Sequence, residues 1–309
     1  MPNSSYYSAM PVREILVESL RFYCERFNVI FLPFLIASLI KSALWKFAFS
    51  LIPHFKIQPG FTENFLIQFI NYLTIVIPII IVFVLASWII DIFPVGSTVK
   101  YSSDILEGRP PSLVSSLKTA TSKIFPLLSI ELIRGALVIL GLVLLIIPGI
   151  IVAVILSLAI QVMIIEDLGT FESLRRSREL VAKSPWRAFS ILMFVFILTA
   201  LGGVVGEIIC SHLIMVEGYI RLVIISVAVS VVKPIQPIAL TYLYYSLSAS
   251  QRFTVRRETY QIISSAPQQT ERELREIIRY YPKFCYKCGQ KLPSDAIYCP
   301  RCGVKVKNE

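Results

Sequence analysis

Apolar residues run along this chain in six long blocks, at 28–52, 64–94, 125–147, 149–166, 186–214 and 219–249, the third and fourth parted by Pro148 alone and the others by more polar stretches. An α-helix rises about 1.5 Å per residue, so roughly 20 apolar residues cross the ~30 Å hydrocarbon core of a bilayer. The pattern predicts six transmembrane helices, the fourth being the shortest. The first ten residues are polar and lack a basic-then-apolar run, so no secretory signal is expected ahead of them.

A second, shorter pattern precedes every other span. Val17-Glu18-Ser19-Leu20-Arg21 leads into the first, Val114-Ser115-Ser116-Leu117-Lys118 into the third, and Phe171-Glu172-Ser173-Leu174-Arg175 into the fifth. Around the first, Val12, Ile15, Leu16, Leu20, Tyr23 and Phe27 form one helical stripe, with Arg13, Glu14, Glu18, Arg21 and Glu25 opposite. The second stripe is Leu113, Leu117, Ala120 and Ile124, and the third is Phe171, Leu174 and Val181. Such helices are expected to lie in the lipid headgroup region. The predicted fold is therefore an all-α polytopic membrane protein in which three helical hairpins, each preceded by a cytoplasmic interfacial amphipathic helix, supply the six transmembrane helices. A basic amphipathic helix ahead of any span produces a similar look, so the repeat rests on few residues.

Composition agrees. Hydrophobic residues make up 55% of the 309, charged residues 16%, and mean hydropathy is +0.70, outside the range of soluble domains. Of the 30 Lys and Arg residues, three fall in 1–27, four in 96–124, five in 167–187 and twelve after 250, whereas the intervening loops hold only Lys56 and Arg221. The positive-inside rule then places both termini in the cytoplasm. His54 and His212 fall in the opposite loops and receive no role.

The C-terminus adds candidate chemistry. Phe284-Cys285-Tyr286-Lys287-Cys288-Gly289-Gln290-Lys291-Leu292 is echoed by Tyr298-Cys299-Pro300-Arg301-Cys302-Gly303-Val304-Lys305-Val306. Each CxxCG is a tight turn that aims two thiolates at one point, and two such turns supply a closed tetrahedral site. The expectation is one structural zinc ion on Cys285, Cys288, Cys299 and Cys302, in a ribbon too small to fold without metal. A redox dithiol pair is the alternative. Zinc-bound thiolates belong to a reducing compartment, which agrees with a cytoplasmic tail. The domains predicted are thus a six-span region over 1–258, a linker with a short amphipathic helix over 259–283, and a zinc ribbon over 284–309.

Local breaks support this layout: Ile147-Pro148-Gly149 between spans three and four, Ser184-Pro185 before span five, and Gly108-Arg109-Pro110-Pro111-Ser112 before the second amphipathic helix. Together with Ile150, Glu166-Asp167, Ser173-Leu174, Ser177 and Trp186-Arg187-Ala188-Phe189, the third-to-fifth-span region resembles a known six-span family. That family includes the membrane domain attached to some glycerophosphoryl diester phosphodiesterases and related uncharacterised prokaryotic membrane proteins. The likeness is clearest over 95–195 and implies architecture rather than activity. In the enzyme members the chemistry resides in a separate barrel domain, which resembles nothing in this chain. The tail resembles the short zinc ribbons appended to many prokaryotic membrane proteins, which implies a prokaryotic plasma membrane.

Charges within the spans are the candidate functional residues, because a charge at the bilayer centre is costly. Lys41 and Lys233 fall near the midplane, and Glu131 and Arg134 lie three residues apart on one helix face. Lys233 belongs to Val232-Lys233-Pro234-Ile235-Gln236-Pro237, where two prolines release backbone carbonyls that need partners inside the bundle. Lys46, Glu207 and Asp91 are read as snorkelling toward the membrane surfaces. On one reading Glu131 pairs with Arg134 or Lys233 and only fixes helix packing. On the other, Lys41, Arg134, Lys233 and Glu131 line a polar cavity that favours an anionic headgroup or solute.

A net charge of +10 does not make nucleic acid the expected partner. The tail after 250 has twelve basic and six acidic residues, and four thiolates on one zinc remove two more charges, leaving about +4, which suits an anionic lipid leaflet. No P-loop, no nucleophile–histidine pairing, no HExxH and no paired-carboxylate signature is present, so an enzyme is not expected. The expectations are a membrane binding or scaffold protein, with membrane lipids and a cytoplasmic protein at the ribbon as partners, or a permease or carrier acting through the intramembrane site.

Overall fold

The computed structural model describes residues 10–53, 63–213, 218–265 and Tyr298. Cys285, Cys288, Cys299 and Cys302 lie outside the described residues, as do His54 and most of the segment read as linker and ribbon. Two compact units are present, Met1–Ser248 and Ala249–Glu309, and the first contains the helical bundle.

Every described element is helical: α1 (Val12–Glu25), α2 (Phe27–Leu51), α3 (Glu63–Leu106), α4 (Leu113–Ser122), α5 (Ile124–Leu144), α6 (Ile146–Ile155), α7 (Ala159–Glu166), α8 (Thr170–Val181), α9 (Pro185–Ile208) with a π-helical turn at Ile209–Leu213, α10 (Tyr219–Val232) and α11 (Ile235–Ser265). Six stretches are long and apolar enough to cross a membrane: Phe27–Leu51, Leu66–Leu106, Ile124–Leu144, Ile146–Glu166, Pro185–His212 and Tyr219–Ser250. This is the pattern of a multi-pass membrane protein.

The most extensive packing joins α5 to α6, α9 to α10 and α3 to α4, followed by α2 to α10 and α2 to α3. Small residues permit these approaches. At Gly206 of α9 a side chain would begin 3.0 Å from Ile225 Cα and 3.2 Å from Ala228 Cβ, and at Gly202, one turn earlier, 3.4 Å from the Ala228 carbonyl oxygen. The two glycines form a GxxxG face that lets α9 and α10 touch backbone to backbone.

Four features differ from the sequence expectation. The helix break between spans three and four falls at Leu145, whose backbone is extended, and Pro148 sits within the first turn of α6, where its missing N–H has no intrahelical acceptor to lose. Helix α3 continues past Pro94 to Leu106, so residues 96–106 are helical rather than a loop. Ser97, Thr98, Ser102, Ser103 and Asp104 are among its most deeply buried side chains, whereas Ile67, Ile70, Ile81 and Val82 are exposed as a lipid-facing surface would be. Polarity here marks the helix's protein-facing end, because small hydroxyl side chains pack closely; Ser97 returns its hydrogen bond to the Pro94 carbonyl and Ser103 bonds Tyr245 across the bundle. Helix α11 runs to Ser265, into the stretch read as linker from 259, since no Pro or Gly interrupts it between Pro237 and Pro267.

The fourth correction concerns the amphipathic helices. Their existence is borne out, but their small-residue faces pack on protein. Ser19, Ser116 and Ser173, the shared third position of the three five-residue motifs, are all fully buried. Two residues earlier, Val17, Val114 and Phe171 are all exposed. Leu174 and Val181, read as facing lipid headgroups, are buried in the bundle. Helices α1 and α4 also join their spans alike, through a single basic residue outside both helices: Arg26 (φ −123°, ψ 27°) and Lys123 (φ −104°, ψ 18°).

Candidate functional site

Two of the six spans are interrupted. Leu156-Ser157-Leu158 separates α6 from α7, and Lys233-Pro234 separates α10 from α11. The second break follows from chemistry, since Pro234 has no N–H to donate and its ring clashes with the preceding turn. Each break is closed by a side chain from an amphipathic helix. Tyr23 of α1 donates its phenol to the Val231 carbonyl at 2.8 Å. Ser177 of α8 donates to the Ile155 carbonyl at 2.9 Å and accepts from the Leu158 N–H at 3.2 Å. Irregular backbone at membrane depth is tolerated where protein satisfies it in this way.

Between the two breaks lies a cavity of about 250 Å³. Its lining combines apolar Phe34, Trp88, Ile92, Leu127 and Leu240 with Asp91, Glu131, Arg134, Ser157, Gln161, Lys233 and Gln236. Glu131, Arg134 and Lys233 therefore converge on one space, on α5 and at the α10–α11 break. Lys41 does not line it, but its Nζ lies 2.6 Å from both carboxylate oxygens of Asp91, which does. Lys233 Nζ is 3.6 Å from the same Asp91 Oδ1. Arg134 donates to Glu131 at 2.6 Å, the i,i+3 pair its spacing indicated.

Asp91, read from the sequence as snorkelling outward, holds two lysines from other spans. The error came from ending the second span near residue 94; with α3 continuing to Leu106, Asp91 falls well inside the helix, level with Lys41. The other two outlying charges are held locally. Lys46 rests 4.5 Å over the Tyr219 ring, and Glu207 pairs with Arg221. His212 is exposed and accompanies Ser211 at 2.6 Å.

Two polar atoms of the lining have no hydrogen-bond partner, Ser157 Oγ and Gln161 Oε1, and their residues are only 3% and 2% exposed. The sequence reading missed both because neither is charged, although a Gln inside a 21-residue apolar stretch was a usable signal. Trp88 reaches its place in the lining because Gly135, beside Arg134, has no side chain; a Cβ there would lie 2.8 Å from the Trp88 ring.

A second polar cluster ties the helix ends together. Glu166 accepts from Tyr244 at 2.8 Å and from Arg176 at 3.3 Å, and Asp167, with its left-handed backbone ending α7, pairs with Lys123 at 2.7 Å. Tyr245 bonds Ser103 and Glu107, and Arg187 bonds the Met10 carbonyl and Ser246. No group of three or more metal-ligating side chains occurs among the described residues. Comparison with protein families, curated proteins and solved structures gives no match.

Proposed function

We propose that this chain is a multi-pass membrane protein that binds a small anionic species, lipid headgroup or solute, in the cavity between its interrupted spans, and that it acts as a carrier for that species. The observation that carries the reading is the convergence of Asp91, Glu131, Arg134 and Lys233 on one cavity that also presents unpartnered Ser157 and Gln161. Charges used only to fix helix packing would pair off in a dry interface, without a void beside them. Interrupted helices facing a midplane site are the usual construction of secondary transporters.

The wider architecture belongs to the same proposal. Three units, each an amphipathic helix leading two spans, account for the fully buried Ser19, Ser116 and Ser173 and for the matching turns at Arg26 and Lys123. Both termini are cytoplasmic in a prokaryotic plasma membrane, and the C-terminal Cys285, Cys288, Cys299 and Cys302 hold one structural zinc ion in a ribbon that offers a docking surface to a cytoplasmic protein. Metal analysis of the purified protein should give one zinc per chain, and none after replacing all four cysteines with Ser.

The test of the cavity is Lys233→Met, which keeps side-chain length and removes the charge. Thermal stability should change little or rise, because an incompletely paired intramembrane charge is exchanged for an apolar group. Anionic lipid or solute co-purifying with the wild type should be lost. Unchanged co-purification would reject the cavity as the binding site.

A further inference from the structure

Deepening the anion-binding reading, on which it rests, we propose that the cavity takes a small organic monoanion that carries its own hydroxyl group. The charge balance sets the first half of that statement. Asp91 and Glu131 bring two negative charges, and Lys41, Arg134 and Lys233 bring three positive ones, so the Arg134–Glu131 pair is neutral and the Lys41–Asp91–Lys233 group beside it is left at +1. An unbalanced charge inside a bilayer is costly, and one negative charge on the ligand removes it.

Hydrogen bonding sets the second half. Gln161 Oε1 is a carbonyl oxygen, which accepts and never donates, and it is buried without a donor. A halide or a plain carboxylate offers it nothing. A ligand hydroxyl satisfies it, and the Ser157 hydroxyl, which both donates and accepts, takes a neighbouring polar atom. Ser157 stands at the break in the fourth span and Lys233 at the break in the sixth, so such a ligand bridges the two interrupted helices.

Size limits the choice further. At about 30 Å³ per water-sized group, a cavity of about 250 Å³ holds roughly eight of them. A hydroxy acid fits whole, and of a membrane lipid only the headgroup fits. The ligand chemistry is the same from either source: one negative charge with a donor beside it.

The experiment uses the full chain in nanodiscs of phosphatidylcholine, with two matched pairs of probes. Glycerate and propionate are monoanions with and without hydroxyls. Phosphatidylglycerol and phosphatidylmethanol, each added to the discs, are the corresponding lipid pair. The expected result is that the hydroxylated member of one pair binds at least tenfold more tightly than its partner and raises the melting temperature. Gln161→Leu should abolish that preference, and Lys233→Met should abolish binding of both members. Preference within the soluble pair identifies a solute site, and preference within the lipid pair a headgroup site. Equal binding within both pairs, lost in Lys233→Met, overturns the donor requirement and leaves the anion site standing. Absence of binding by all four probes overturns both, leaving a cavity that holds water only.

Discussion

The phenol of Tyr23 donates a 2.8 Å hydrogen bond to the carbonyl oxygen of Val231, 208 positions away in the sequence. The need for it is written at Pro234, which interrupts the helix just after Val231 and leaves carbonyls of the last turn without their usual donors. A helix at the start of the chain thereby completes the backbone of its last span.

Tyr23→Phe removes that donor and nothing else, leaving the Val231 carbonyl without its side-chain partner. The expected loss of stability is about 1–3 kcal/mol, read from thermal or denaturant unfolding in detergent. Burial, with a smaller contribution from Cys24, pushes the Tyr23 phenol above its ordinary range. A raised folded-state pKa means the contribution is full below the unfolded value of about 10 and declines as pH rises beyond it. The gap between wild type and Tyr23→Phe should therefore hold steady up to about pH 9 and narrow above about pH 10. A gap that widens with alkalinity would contradict the assignment.

Asp91 holds two cations, so its loss should cost more than the loss of either. Asp91→Asn is expected to destabilise more than Lys41→Met or Lys233→Met, because it leaves two lysines facing each other without a carboxylate. In a double-mutant cycle, Lys41 and Asp91 should show a coupling of about 0.5–3 kcal/mol. Strict additivity would mean that the 2.6 Å contact is energetically idle.

The two faces of the α9 glycine cluster give an internal control. A Cβ at Gly206 would press on Ile225 and Ala228, whereas one at Gly203 meets only Val229 Cγ2, at 4.0 Å. Gly206→Leu should cost about 1–3 kcal/mol through overpacking. Gly203→Leu should cost markedly less, and equal losses would place the α9–α10 contact elsewhere.

Topology can be read by thiol labelling in cells, after Cys24 and Cys210 are replaced with Ser. A Cys introduced at Gln58 should react with an impermeant reagent in intact cells. One at Ser112, which is exposed at the start of α4, should react only after the membrane is opened. The reverse outcome inverts the orientation.

Six helices were legible because each carries a long apolar run, and the Glu131–Arg134 pair because both ends lie on one helix at i,i+3. What hydropathy hid was the inside of the bundle. In a membrane the apolar surface faces outward, so residues such as Ile81 and Val82 mark a span, while Ser97, Thr98, Ser102 and Asp104, which pack against the other helices, read as a loop. Asp91 was misplaced for that reason. Gln161 and Ser157 were passed over because a search for charge does not register an amide or a hydroxyl. The breaks divide in the same way: Pro234 announces its own, but Leu156-Ser157-Leu158 contains no helix breaker, and its geometry depends on Ser177, a partner that sequence spacing does not reveal.

The Tyr23 bond also makes α1 and the sixth span a single mechanical part. Lifting α1 away would strip the Val231 carbonyl of its phenol donor beside the bend at Lys233 and Pro234. Because Lys233 lines the cavity from that bend, a displacement of α1 would reach the cavity wall through this one bond.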